Sequence, residues 1–441
     1  MAIRTQNEKF LCTDLMSSPT QKCPRGLMGY FTSLAADRWL LGITQQLKEI
    51  RMRQQFRAAR LKESATVNTV VQVMRPLLPT VDRLVPYLRR IDSSRVYSNF
   101  GPLTMEFQNR LSNYFGISHD CIVSASCGTT ALMAAILATA GPATKDKPYA
   151  LIPAFTFVAT AIAVERCGYR AYFADIDANS WMLNPKRLFN HHLLQDVGVV
   201  IPVAPFGRPV PQFPWADFKR RTAIPVVIDA AASFDCLRDS QGQFIGETPV
   251  ALSFHATKSL GTGEGGCVIS TDALLIRRVA QALNFGFQGT RDSASASLNG
   301  KMSEYHAAIG LAGLDGWTSK EASVQEVVRR YRQELSSNGL ASRFFAWPDI
   351  SGCYALFLSQ NRVEADTVQN EFQREGIESR LWYGTGLHHH AHFSDRPRDS
   401  LHITEDIGYR LVGLPMAPDL ISESIIRVTA SLKPKRTPFG P

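Results

Sequence analysis

Between residues 121 and 232 the chain repeats one unit: a short apolar run followed by a helical segment or a loop. CIVSAS (121–126) precedes TTALMAAILATA (129–140), and YALIPA (149–154) precedes TFVATAIAVERCG (156–168). RAYFADI (170–176), VGVVIPVA (197–204) and IPVVIDAAA (224–232) are further runs of the same kind. These runs have no polar face, so each reads as a strand buried on both sides. Such strands alternating with helices predict a mostly parallel sheet covered by helices on both faces. Ligands of these sheets bind at the carboxyl ends of the strands, and the chemistry is sought there.

The flanks differ from this α/β body. Residues 1–74 read as an N-terminal extension, partly helical. In 34–63, Leu40, Ile43, Leu47 and Ile50 share one helical face, and Arg51, Arg53, Arg57, Arg60 and Lys62 follow. This segment reads as a solvated helix packing on the body, or as a basic amphipathic helix touching an anionic membrane surface or a protein. Residues 1–90 hold 15 Lys and Arg against 6 Asp and Glu, which accounts for the whole net charge of +9. The remaining body is neutral, so the charge does not indicate a nucleic-acid partner. After a large domain over 75–325, a long helical stretch at 303–337 leads into YALFLSQ (354–360), a strand, and ADTVQNEFQREG (365–376), a helix. Residues 326–441 therefore read as a smaller α+β domain. No apolar run approaches the ~18 residues of a membrane span, and the polar start MAIRTQNEKF lacks signal-peptide order. A cytoplasmic protein is expected. No two of the eight cysteines form a CxxC pair, which disfavours a zinc ribbon.

Four features carry chemistry. Gly261, Gly263 and Gly266 in SFHATKSLGTGEGG satisfy G-x-G-x-x-G, but the strand-like CVIST follows them where a dinucleotide loop needs a helix. The turn at Gly128, Thr129 and Thr130 joins a strand to a helix N-terminus, a place that suits an anion. By itself that turn could be a simple helix cap. Asp229, ending an apolar strand, is costly to bury without a cationic or N–H partner. Lys258 would ordinarily be a solvated surface residue, yet a lysine held among apolar and small residues is an amine able to bond a carbonyl. Phosphate turn, strand-end aromatic (Phe157), strand-end Asp229 and Lys258 occur in the order of a pyridoxal 5'-phosphate (PLP) site.

With those residues in place, the chain resembles the DegT/StrS family of PLP-dependent nucleotide-sugar aminotransferases, which have the aspartate-aminotransferase type of fold. The resemblance runs from about residue 75 to about 430. It is carried by SNFGPLTMEF (98–107), CGTTAL (127–132), IPAFTFVATA (152–161), FADIDANSW (173–181), VVIDAAA (226–232), SFHATKSLGTGEGG (253–266) and LNGKMSEYHAAIGL (298–311). It implies that Lys258 bonds the PLP aldehyde, Asp229 meets the pyridine nitrogen and Phe157 stacks on the ring. Gly128, Thr129 and Ser253 would surround the phosphate. Asn299 matches a residue that reaches the phosphate from the partner subunit, which implies a homodimer with shared sites. Arg380, Tyr383 and His388 match a region near the substrate.

The implied reaction moves an amino group from an amino acid, glutamate by resemblance, to a nucleotide-linked keto-sugar. A PLP-dependent sugar dehydratase or lyase, and a regulatory protein on the same fold, are the alternatives. Lys258 opposes the dehydratase branch that carries His there. Ala204 and Ala232 stand where the family often has His and Gln. No metal is expected at His388-His389-His390 and His392, because adjacent residues of an extended segment face opposite ways.

Overall fold

The computed structural model describes residues 70–238 and 242–433, within a compact unit spanning Val70–Pro441. Of the extension expected over residues 1–74, residues 1–69, including the helix at 34–63, lie outside the described residues. Among the described residues no helix is long and apolar enough to cross a membrane.

In chain order, α1 is Val81–Ser94 and α2 is Pro102–Phe115. Then come β1 (Ile122–Ala125), α3 (Gly128–Thr139), β2 (Tyr149–Pro153), α4 (Val158–Arg166), β3 (Arg170–Ala174) and β4 (Val197–Val200). They are followed by α5 (Gln212–Thr222), β5 (Ile228–Asp229), β6 (Val250–Ser253), β7 (Gly266–Ile269) and α6 (Ala273–Leu283). The strands form two ladders, β1-β7-β6-β5 and β4-β2-β3. Parallel bridges Val200–Val226 and Val203–Asp229 join them at their centre. The result is one sheet ordered β1-β7-β6-β5-β4-β2-β3, parallel except for β7, which runs antiparallel to both neighbours. The expected strand pattern is therefore present, and CVIST is the return strand of the lysine loop.

Helices cover both faces. On one side α3 and α4 present Ala131, Ala134, Ala135, Ala161 and Ala163, all fully buried. Small side chains bring these helices close to the Val- and Ile-rich strands, and dispersion contacts accumulate. On the other side α2 contributes Leu103, Phe107 and Leu111 to a second layer.

The long helical stretch at 303–337 is present and breaks at Gly316 into α7 (Glu304–Asp315) and α8 (Trp317–Ser336). The two halves bury different faces. Ala307, Ala308 and Leu311 enter the large core, while Val327, Tyr331 and Leu335 enter a separate C-terminal core. That core is closed by β8 (Phe344–Phe345), β9 (Ala355–Leu358), α9 (Arg362–Arg374), α10 (His402–Arg410), β10 (Leu411–Leu414) and α11 (Ser422–Ser431). Its sheet is antiparallel, ordered β10-β9-β8. Residues before 75 also belong to it: Val71 bridges Ile377 and Met74 bridges Met416. The body of the fold thus begins at about residue 70.

One buried carboxylate ties α7 to α2. Glu304, 1% exposed, accepts hydrogen bonds from the Leu103 and Thr104 amides at 2.7 and 2.9 Å and from the Thr104 hydroxyl at 2.5 Å. It satisfies donors that a helix start leaves open and meets the positive end of the α2 dipole. Glu304→Ala should lower unfolding free energy by about 3 kcal/mol, because those amides would be left buried without acceptors. Urea denaturation would check this, with Glu304→Gln losing less.

Candidate active site

The turn between β1 and α3 meets the end of β6. A Cβ on Gly128 would lie 2.5 Å from the Ser253 Cβ and 2.9 Å from its Oγ, so only glycine permits this approach. Cys127 caps α3, its sulfur accepting from the Thr130 amide, and the Thr130 hydroxyl turns back to Cys127 and Ser126. Thr129 occupies the first turn of α3. Residues 125 apart in sequence are thereby placed at one concavity with free helix N–H groups, an anion cradle in kind.

Asp229 ends β5 beside it. The Ser253 amide donates to the Ala231 carbonyl at 3.1 Å, which locks β6 to the segment after β5. Asp229 is 7% exposed. Its Oδ2 accepts from the Thr160 hydroxyl at 2.7 Å and its Oδ1 from the Ala231 amide at 3.1 Å. Burial pushes this carboxyl above its ordinary range, while those hydrogen bonds and the Lys258 charge pull it back. Phe157 N-caps α4 with its ring 60% exposed, so the ring has a face available for stacking.

Lys258 lies in the loop between β6 and β7. The loop ties itself together: Lys258 N–H donates to the His255 carbonyl and Ala256 N–H to that of Gly263, each at 2.8 Å. Gly263 has φ +86°, a conformation that favours glycine. Lys258 Nζ donates to the Tyr354 hydroxyl at 3.2 Å. Tyr354 comes from the C-terminal layer, just before β9. Its ring meets Phe206 and Trp382 edge-on at 5.4 and 5.3 Å. Phe206 stacks on Tyr383 at 4.4 Å, and its amide donates to the Tyr383 hydroxyl at 3.2 Å. Burial raises both phenols, so they act as neutral hydrogen-bonding groups.

The outer residues are more dispersed. Arg380 is exposed, with its guanidinium over Trp382. Asn299 is exposed and its Oδ1 accepts from Lys301 Nζ at 2.8 Å. The adjoining Gly300 carbonyl accepts from the Ser126 amide at 2.7 Å, which sets this segment beside the Gly128 turn of its own chain. His388 is buried, with Nε2 3.0 Å from Glu405 Oε1. Leu387–His389 is a 3₁₀ turn. The expected divergence of adjacent histidines fails there, because that argument assumed extended backbone. The rings of His388 and His389 lie 4.1 Å apart and both face Glu405.

The profile of the DegT/DnrJ/EryC1/StrS aminotransferase family matches residues 81–433. The chain belongs to this family. Protein Rv3402c of Mycobacterium tuberculosis (strain ATCC 25618 / H37Rv) is 32% identical over 373 residues, covering 82% of this chain and 89% of that one. The dTDP-4-amino-4,6-dideoxy-D-glucose transaminase of Shigella dysenteriae is 29% identical, over 60% of this chain and 70% of its own. A Bacillus cereus ATCC 10987 protein described as a PLP-dependent aminotransferase shares the fold with a TM-score of 0.76 at 30% identity. That match covers 82% of this chain and all of the other.

The residues of this aminotransferase suit PLP by their chemistry. The Gly128–Ser253 approach leaves a helix N-terminus open for a phosphate, Asp229 is a buried carboxylate seeking a cation, and Lys258 is an amine on a rigid loop. Two neighbours were not singled out in the sequence. Thr160 falls three residues after Phe157, one helical turn on, and that spacing was its available signal. Tyr354 had none, since it arrives from another layer.

Two outcomes are expected. Gly128→Ala forces Ser253 aside, an overpacking of about 1–3 kcal/mol, so PLP affinity measured by titration should fall roughly tenfold or more. Asp229→Asn should stabilise the cofactor-free protein at pH 7 while destroying activity. Because burial raises the folded-state pKa, ionised Asp229 costs stability above the ordinary carboxylate range, and that cost vanishes as pH falls. Thermal unfolding of both proteins at pH 7 and pH 4 checks the sign.

Proposed function

We propose that this aminotransferase carries PLP and moves an amino group from an amino acid, glutamate in the first instance, to a nucleotide-linked keto-sugar. The observation that carries the reading is the meeting of three strand ends. β1 with its helix, β5 and β6 bring the Gly128 turn, Asp229 and Ser253 together, and the loop after β6 adds Lys258. The Shigella relative, a dTDP-sugar transaminase, supports the substrate class.

When bound, PLP supplies an aldehyde that accepts the amino group and a ring that draws off electron density as the neighbouring proton leaves. Thr129, Ser253 and the α3 N-terminus would hold its phosphate. Asp229 would face the ring nitrogen, with Thr160 orienting that carboxylate, and Phe157 would pack on the ring. Lys258 would hold the aldehyde carbon, and its amine, when free, would take up and return a proton at the amino-bearing carbon as general base and acid. The Tyr354 hydroxyl would hold that amine in place.

Arg380, Tyr383 and His388 lie on the C-terminal side, where substrate groups would be read. A homodimer in which Asn299 serves the second subunit's site is part of the same reading and rests on the family resemblance.

The decisive measurement is the half-reaction. Incubation with glutamate should shift the absorbance of the bound cofactor and release one 2-oxoglutarate per site. Lys258→Ala should lose the visible cofactor band and at least about a thousandfold in turnover, the scale on which removal of an essential group is felt. Full turnover in Lys258→Ala would refute the assignment.

A further inference from the structure

The turn at Leu387–His389 presents two imidazoles to one carboxylate. His388 Nε2 lies 3.0 Å from Glu405 Oε1, and His389 Nε2 lies 3.7 Å from the same oxygen. The three ligand atoms all fall within 4.8 Å of one another. Tetrahedral coordination with bonds of about 2.1 Å spaces its ligands about 3.4 Å apart. The distances to Glu405 bracket that value, so small side-chain movements bring the three ligand atoms around an ion. His388 Nδ1 is buried without a hydrogen-bond partner among the described residues, so the polar contact that orients this ring is the one from Nε2 to Glu405. His389 and Glu405 are each about half exposed, at 50% and 44% of their side chains, which opens a path from solvent.

From this arrangement we propose that His388, His389 and Glu405 bind a divalent transition-metal ion, with a fourth position open to water. Two imidazoles and one carboxylate suit zinc or cobalt. On binding, the ion takes Nε2 of His388, and the proton that Nε2 shares with Glu405 moves to the unpaired Nδ1. Glu405 belongs to α10, whereas the two histidines belong to the loop that also carries Tyr383. That loop is pinned to the main sheet where the Leu387 amide donates to the Ala154 carbonyl at 2.9 Å. A bound ion therefore clips the Tyr383 loop to α10. His388 is also one of the residues proposed above to read substrate, so the variants that test the ion site are taken at His389 and Glu405, outside that set.

The test uses untagged holoenzyme titrated with Co²⁺ and read by its visible d–d bands, beyond the cofactor's absorption. A second cluster, His191, His192 and Asp399, serves as an internal control. The expected result is saturable binding of one ion per chain at micromolar Co²⁺. His389→Ala and Glu405→Gln should each weaken it at least about tenfold, as loss of a ligand must exceed loss of an outer partner. His192→Ala should leave it unchanged. Saturating ion should raise the Tm of the parent protein and not that of Glu405→Gln. His389 is on the surface, so its replacement does not threaten folding. No saturable binding, binding indifferent to His389→Ala, loss on His192→Ala, or thiolate-to-cobalt charge-transfer bands would each overturn the proposal.

Discussion

A carboxylate buried at the end of the central strand organises this molecule. Asp229 closes β5, flanked by β6 on one side and bridged to Val203 on the other. Its own carbonyl accepts from the Ala204 amide and its amide donates to the Pro202 carbonyl, so the backbone cannot shift to relieve the charge. Two donors, Thr160 and Ala231, satisfy part of its hydrogen-bonding capacity. A buried charge is tolerated at this cost where a cation completes it. In the proposed reading the cofactor's ring nitrogen supplies that cation, and a carboxylate held ready for it is a common arrangement at catalytic sites.

The second organising element is an aromatic layer between the large sheet and the C-terminal core. Phe155, Phe206, Tyr354 and Trp181 are buried together, with Trp382 and Tyr383 packed against them. Phe206 adopts φ +55° and ψ +23°, an uncommon conformation for a bulky residue, and this strain is held by its stack and hydrogen bond with Tyr383. Ala232 belongs to the same cluster, and a Cβ on Gly207 would come within 2.7 Å of its carbonyl. The small side chain at Ala232, where the family resemblance suggested Gln, therefore lies in a crowded aromatic wall, whereas Ala204, where it suggested His, is buried in the large core. Through that wall the C-terminal layer reaches Lys258 by way of Tyr354.

The site was legible to the extent that its chemistry is local. Asp229 stood out because an acid after an apolar strand is costly anywhere. Gly128 stood out because strand, turn and helix follow within ten residues. Lys258 became legible only in order with the others. Thr160 was overlooked because a threonine inside a helix is ordinary until its partner is known. The histidine run was read as extended backbone, which sends adjacent rings apart; the 3₁₀ turn at Leu387–His389 instead faces His388 and His389 toward one carboxylate.

The α/β class, the strand positions and the candidate lysine and aspartate were determined by the sequence itself, since apolar periodicity and the cost of burying charge act over a few residues. The tertiary structure alone decided that β7 runs antiparallel, that the chain breaks at Gly316 between two cores, and that Tyr354 meets Lys258. It also decided that two histidines converge on Glu405. Each of these depends on groups far apart in sequence packing against one another, and the energy that selects them exists only once both sides are in place.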